Sequence, residues 1–200
     1  TAYRVQTIGF ETTNAYAGAG ANEALFYDGA SADKLELTQA STLITYGYTG
    51  GSPIIARGDG FNSVTARATN SPTRADSLYI TGTAGNDTYE ADWIDLGGTI
   101  GLQPTTRMYQ TGVFDFMTTG FDRMSAKAEG GLDTATLVGS SGNDRFYSYP
   151  ATGDVTLVMP GVQHTGYSME LVDGSAGSGG YDQAYLRDTA SPNETYTAWY

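Results

Sequence analysis

A chain that repeats itself has few folds open to it, and this one carries four copies of one plan. Aligned on a glycine–aromatic pair, the copies begin at Gly9 (GFETTNAYAG), Gly60 (GFNSVTARAT), Gly120 (GFDRMSAKAE) and Gly166 (GYSMELVDGS). The aromatics Phe10, Phe61, Phe121 and Tyr167 lie 51, 60 and 46 residues apart. In each copy an acid falls six residues before a turn residue: Glu23 before Gly29, Asp76 before Gly82, Asp133 before Gly139, Asp182 before Asp188. A second acid follows that turn, at Asp33, Asp87, Asp144 and Glu194. Repeats of roughly 20–50 residues mean solenoids, propellers or arrays, because each unit buries its apolar face only against the next. The chain therefore reads as a single repeat domain over 1–200, in units 1–50, 51–110, 111–158 and 159–200.

Within the units the local signals are those of strands. Short alternating runs such as Phe61 to Ala68 (FNSVTARA) and Asp133 to Val138 (DTATLV) are bounded by Gly, Asn and Asp, and 27 glycines punctuate the chain. No long Leu/Ala/Glu/Lys stretch with helical spacing occurs. The expectation is an all-β fold. A unit of about 50 residues holds roughly four short strands, enough for one propeller blade or two solenoid turns. The alanines at alternate positions (Ala66, Ala68, Ala126, Ala128) suit a narrow interior, which favours a parallel β-solenoid, or β-helix, of four imperfect repeats. A β-sandwich or propeller-like array is the alternative.

Composition excludes more than it names. Ten Lys+Arg against 22 Asp+Glu leave a net charge of −12, the wrong sign for nucleic acid or an anionic membrane surface. There is no cysteine, so disulfides, thiol catalysis and zinc–thiolate sites are out, and one histidine, His164, cannot make a multi-histidine centre. No apolar run approaches the length of a spanning helix. A start at Thr1 without a charged-then-apolar leader is expected of a mature secreted chain or of a trimmed piece of a longer one.

Three windows carry the turn chemistry: GTAGNDTYE (Gly82 to Glu90), GGLDTATLV (Gly130 to Val138) and GSSGNDRFY (Gly139 to Tyr147). The first and third resemble the G-G-x-G-x-D-x-U-x nonapeptide of hemolysin-type, or RTX, repeats. Gly85 and Asp87, like Gly142 and Asp144, match its glycine and aspartate, and Tyr89 and Phe146 its large apolar position. The whole unit is also similar to the GFDxVxAxxxxGxDTAxLYGSAGNDTF repeats of very large secreted bacterial proteins. That resemblance implies an extracellular bacterial β-solenoid with Ca2+ held between successive turns. The preceding nonapeptide departs from the pattern, with its acid at the fourth position.

A hard cation such as calcium takes six to eight oxygens, which one carboxylate per turn supplies only if turns stack closely. Asp76 with Asp87, and Asp133 with Asp144, lie eleven residues apart, a spacing that could bring each pair to one solenoid corner. Glu23, Asp33, Asp182 and Glu194 complete the candidate metal set. The competing reading is that Asn86-Asp87 and Asn143-Asp144 are turn residues bonding their own backbone. A polysaccharide-degrading β-helix enzyme is the weaker expectation: Arg123, Arg145 and the acids are already explained by the repeat, and His164, in PGVQHTGY, reads as a surface turn residue. The chain is expected not to be an enzyme. Asn86 and Asn193 fit the N-glycosylation pattern, so glycans are a further expectation.

The ends read as continuations of the repeat. TAYRVQTIGF resembles the strand leading into a unit, like TRMYQTGVFDFMTTGF before Asp122, and ETYTAWY follows a nonapeptide-like turn. Neither looks like a polar cap, which a soluble solenoid normally needs. Thr1, Tyr3, Val5, Trp199 and Tyr200 are the candidate assembly residues. The expected function is a secreted or cell-surface structural subunit that joins copies of itself head to tail into a filament or layer. A calcium-binding adhesion module of a larger array is the alternative.

Overall fold

The computed structural model describes residues 12–27, 32–46, 54–68, 75–97 and 101–187. They form seventeen strands and no helix. The first repeat comprises β1 (Thr12–Tyr16), β2 (Glu23–Tyr27), β3 (Lys34–Leu37), β4 (Ser41–Tyr46) and β5 (Ile54–Asp59). The second holds β6 (Ser63–Arg67), β7 (Ser77–Thr81), β8 (Thr88–Asp95), β9 (Leu102–Gln110) and β10 (Phe114–Thr119). The third holds β11 (Arg123–Lys127), β12 (Thr134–Val138), β13 (Arg145–Tyr149), β14 (Asp154–Met159) and β15 (Val162–Tyr167). The fourth contributes β16 (Leu171–Ser175) and β17 (Gln183–Leu186).

Two mixed sheets result. The ten-stranded sheet runs β1-β5-β4-β3-β7-β11-β15-β14-β13-β17, and the seven-stranded sheet runs β16-β12-β8-β9-β10-β6-β2. Most of the chain crosses from one sheet to the other at each strand and returns to pair in parallel with the strand four places earlier, as β7 does with β3 and β12 with β8. The expectation of a purely parallel fold is corrected at three places. In β3-β4-β5, β8-β9-β10 and β13-β14-β15 the chain stays in one sheet and turns back on itself, giving six antiparallel pairings. The hairpin chemistry is in the sequence: Pro160-Gly161, with Gly161 at φ 80°, turns β14 into β15. Gly112, at φ 77°, lies in the β9–β10 turn, closed by Val113 N–H to Gln110 C=O at 2.9 Å.

Because a repeat has five strands, an odd number, successive repeats present their meanders in alternate sheets. β4 and β14 lie in the ten-stranded sheet and β9 in the seven-stranded one.

Core side chains follow one rule. Two and four residues after an Asp or Asn that precedes a strand, the side chain points inward, as strand alternation requires. Leu35 and Leu37 follow Asp33, Val64 and Ala66 follow Asn62, Leu78 and Ile80 follow Asp76, Tyr89 and Ala91 follow Asp87, Met124 and Ala126 follow Asp122, and all are buried. The middle strands add Ile44, Met108, Val155 and Leu157 to one cluster.

The structure also re-registers two anchors. Gly60 and Gly120 adopt left-handed backbone (φ 77° and 84°) just before β6 and β11, and a Cβ on Gly120 would lie 2.6 Å from the Ala68 carbonyl oxygen. In the fourth repeat that place belongs to Ser168, the one non-glycine residue at positive φ among the described residues (58°), with Met169 buried where Phe121 is. Gly166 and Tyr167 instead end β15.

Candidate functional site

The acidic turns are built the same way twice. In Gly82 to Asp87, the Asp87 carboxylate folds back to accept the Thr83 N–H at 2.7 Å and the Thr83 hydroxyl at 3.3 Å, while Gly85 N–H donates to Thr83 Oγ1 at 3.1 Å. In Gly139 to Asp144, the corresponding bonds to Ser140 measure 2.6, 2.8 and 2.9 Å. The leading glycine is required because the carboxylate lies where its side chain would begin, against Asp87 for Gly82 and Asp144 for Gly139.

Each turn is then stapled to the one stacked on it. Asn86 Oδ1 accepts the Leu132 N–H at 2.9 Å, and Asp133 Oδ1 accepts the Asp87 N–H at 2.7 Å. The same exchange joins Asn143 to Tyr181 N–H (2.8 Å) and Asp182 to Asp144 N–H (2.9 Å). The glycines of GGLD and GGYD permit the approach: a Cβ on Gly131 would sit 2.7 Å from the Gly85 carbonyl, and one on Gly180 would collide with the Gly142 carbonyl.

Extended along the sheets, these contacts form carboxylate columns. Asp33 N–H donates to Asp76 Oδ1 (2.9 Å) and Asp76 N–H to Asp122 Oδ2 (3.0 Å) in the ten-stranded sheet. Asp87 N–H donates to Asp133, and Asp133 N–H to Glu170 Oε2 (2.8 Å), in the seven-stranded sheet. Asp33, Asp76, Asp87, Asp133 and Asp144 are buried, and Asp133 Oδ2 has no hydrogen-bond partner. Burial pushes the Asp87, Asp133 and Asp122 carboxyls above their ordinary values. Thr83 N–H opposes the shift at Asp87, the Asp87 N–H opposes it at Asp133, and the neighbouring carboxylate adds to it at both.

The eleven-residue pairs expected from the sequence are not the pairs that form. Asp76 opens β7 in one sheet and Asp87 opens β8 in the other, because one strand step crosses between sheets. The partners lie four strands on: Asp76 with Asp33 and Asp122, Asp87 with Asp133, Asp144 with Asp182. Glu23 is the exposed first residue of β2, and the place of Asp76, Asp133 and Asp182 is taken by Asn22, whose carbonyl accepts the Ser63 N–H at 3.1 Å. Glu194, Thr1, Tyr3, Val5, Trp199 and Tyr200 lie outside the described residues. Among the described residues no three acidic or histidine side chains converge on one point.

The structure places His164 far from a surface turn. It sits in β15 at 1 % exposure, with Nδ1 3.2 Å from the Tyr89 hydroxyl and 3.4 Å from Thr106 Oγ1. Burial lowers its pKa to about 3, so it is neutral. Alternation within VQHTGY, apolar or small at every second place, was the available signal. Arg123 and Arg145 are the exposed first residues of β11 and β13.

The remaining feature is the edges. Among the described residues, β1 pairs only with β5, β17 only with β13, β16 only with β12 and β2 only with β6. Tyr16, Tyr27 and Tyr185 stand exposed on them. Comparison with protein-family models, with curated proteins and with solved structures returns no match. The likeness to nonapeptide repeats therefore rests on the GxxGND turns themselves.

Proposed function

We propose that this chain is a non-enzymatic structural protein of the cell exterior, a β-solenoid with antiparallel meanders that extends end to end into a filament or surface layer. One observation supports this reading above the others. Nothing among the described residues covers the edges of either sheet, and uncovered strand edges recruit further strands. A repeat stack of this kind gains stability from each added neighbour, so addition to an end repeats a contact the interior already makes. The extracellular setting rests on the likeness of the GxxGND turns to secreted repeat proteins.

Sedimentation velocity of the purified chain, in millimolar calcium and again in EDTA, tests it. Polymers are expected in both solutions, because the acids of the columns already accept N–H groups of the neighbouring turns. Polymers that dissolve in EDTA would return calcium to the turns while keeping self-assembly. A monomer in both would overturn the reading.

A further inference from the structure

We infer that the ten-stranded sheet makes a contact between copies, with the outer edge of β17 receiving β1 of a second copy, in parallel, with Gln183 opposite Thr12 and Tyr185 opposite Asn14. This rests on the self-assembly reading and assigns its interface.

Numbering the strands of each repeat 1 to 5, the interior obeys three parallel rules. Strand 1 pairs with strand 5 of its own repeat (β1 with β5, β6 with β10, β11 with β15). Strand 2 pairs with strand 1 of the next repeat (β2 with β6, β7 with β11, β12 with β16). Strand 3 pairs with strand 2 of the next (β3 with β7, β8 with β12, β13 with β17). The ten-stranded sheet therefore reads 1-5-4-3-2, 1-5-4-3-2, two whole periods. Its last strand, β17, is a strand 2 whose free side calls for a strand 1, and its first, β1, is a strand 1 whose free side calls for a strand 2. The two edges are complementary. Among the described residues the seven-stranded sheet is not so arranged: β16 calls for a strand 5 and β2 for a strand 3, and the described strands leave three places between them.

Register follows from the interior copies of the same junction, where Glu23 faces Ser63, Ser77 faces Arg123 and Thr134 faces Leu171, each the first residue of its strand. Applied to β17 and β1, the rule sets Gln183 opposite Thr12. The acids of the carboxylate staple recur in the sequence as well. At two of those junctions the residue before the arriving strand takes an N–H from the acid before strand 2: Asp122 from Asp76, and Glu170 from Asp133. Before β1 the sequence has Glu11, and before β17 it has Asp182. Glu11 holds that place in the sequence and lies outside the described residues.

The chain has no cysteine, so introduced thiols report alone. Asn14→Cys and Tyr185→Cys are made as separate proteins, mixed and mildly oxidised. Opposed residues on adjacent strands lie about 4.8 Å apart, within disulfide reach, whereas Tyr16→Cys with Tyr185→Cys, two residues out of register on the same face, stands at about 8 Å. The expected yield of mixed dimer is about tenfold higher for the first pair. Equal yields from both pairs, or polymers in sedimentation with no cross-link between positions 14 and 185, would overturn the edge assignment and leave self-assembly standing. A wild-type chain that stays monomeric would remove both.

Discussion

Acid should unfold this protein through its one histidine before its many carboxylates respond. His164 is enclosed by Tyr89 and Thr106 from the seven-stranded sheet and by Met124 and Leu157 beside it in its own sheet, with no charged group among them. Its folded pKa near 3 is set by burial, against an ordinary value of 6.5. Below pH 6.5 the unfolded chain therefore takes up a proton that the folded chain refuses. Stability is present in full above that value and is lost as pH falls toward 3, at about 1.4 kcal/mol per pH unit. At pH 5 the loss is about 2 kcal/mol. Asp87, Asp122 and Asp133 act with the opposite sign: their raised folded values let the folded chain bind protons first, so they add stability as pH falls through the carboxylate range. The carboxyls are common to both proteins, so the histidine is read as the difference between the wild type and His164→Met from pH 6.5 to 5. Urea unfolding at half-unit steps across that range should show the histidine slope in the wild type and not in His164→Met, which fills the same space without a proton site. A variant whose slope parallels the wild type would refute the assignment.

The stapled turns give three further expectations, each read by urea or thermal unfolding at pH 7. Asp133→Ala removes the acceptor for Asp87 N–H in a buried column and should cost about 1–3 kcal/mol, whereas Asp133→Asn keeps that acceptor and relieves repulsion from Glu170, so it should be near neutral or stabilising. Gly139→Ala drives a methyl into the Asp144 carboxylate and to within 2.6 Å of the Ala176 carbonyl oxygen, at a cost of about 1–3 kcal/mol. Ser168→Gly should stabilise by about 0.5–1 kcal/mol, since glycine occupies the matching places at Gly60 and Gly120 and relaxes a left-handed serine.

Strand content and the inward face were legible because alternation after Asp or Asn is strong: DKLEL, DSLYI and DTATL each place their apolar side chains where the core receives them. The repeat was legible too, yet its register slipped twice. Glu23 is the charged residue at that point of the sequence repeat, but Asn22 holds the structural place: its carbonyl accepts the Ser63 N–H and its side-chain amide donates to the Gly18 and Gly20 carbonyls. Gly166-Tyr167 matches the glycine–aromatic pair in sequence, but in the fourth repeat Ser168 adopts the left-handed turn and Met169 takes the place of Phe121. The meanders were less visible. Pro160-Gly161 and Gly112 signal turns, but a turn does not say whether the chain crosses to the other sheet or folds back beside itself. That choice is made by the facing sheet, not by local sequence.

The odd strand count explains both the misplaced acid pairs and the matched edges. With an even number of strands per repeat, every copy of a strand would lie in the same sheet, and the sheets could end alike. With five, each repeat hands its meander to the opposite sheet, so the full period of one sheet spans two repeats. Acids eleven residues apart are then divided between sheets, while acids 37 to 46 residues apart, such as Asp133 and Glu170 or Asp87 and Asp133, become neighbours. Among the described residues the same alternation gives one sheet two whole periods and the other seven strands of its cycle. Strand exchange between the two sheets would be penalised at every staple, since Asn22, Asp76, Asp133 and Asp182 precede a strand 2 and are positioned to meet only a strand 1 or a strand 3. The acids that give the chain its charge of −12 are thus among the residues that hold the register of the stack.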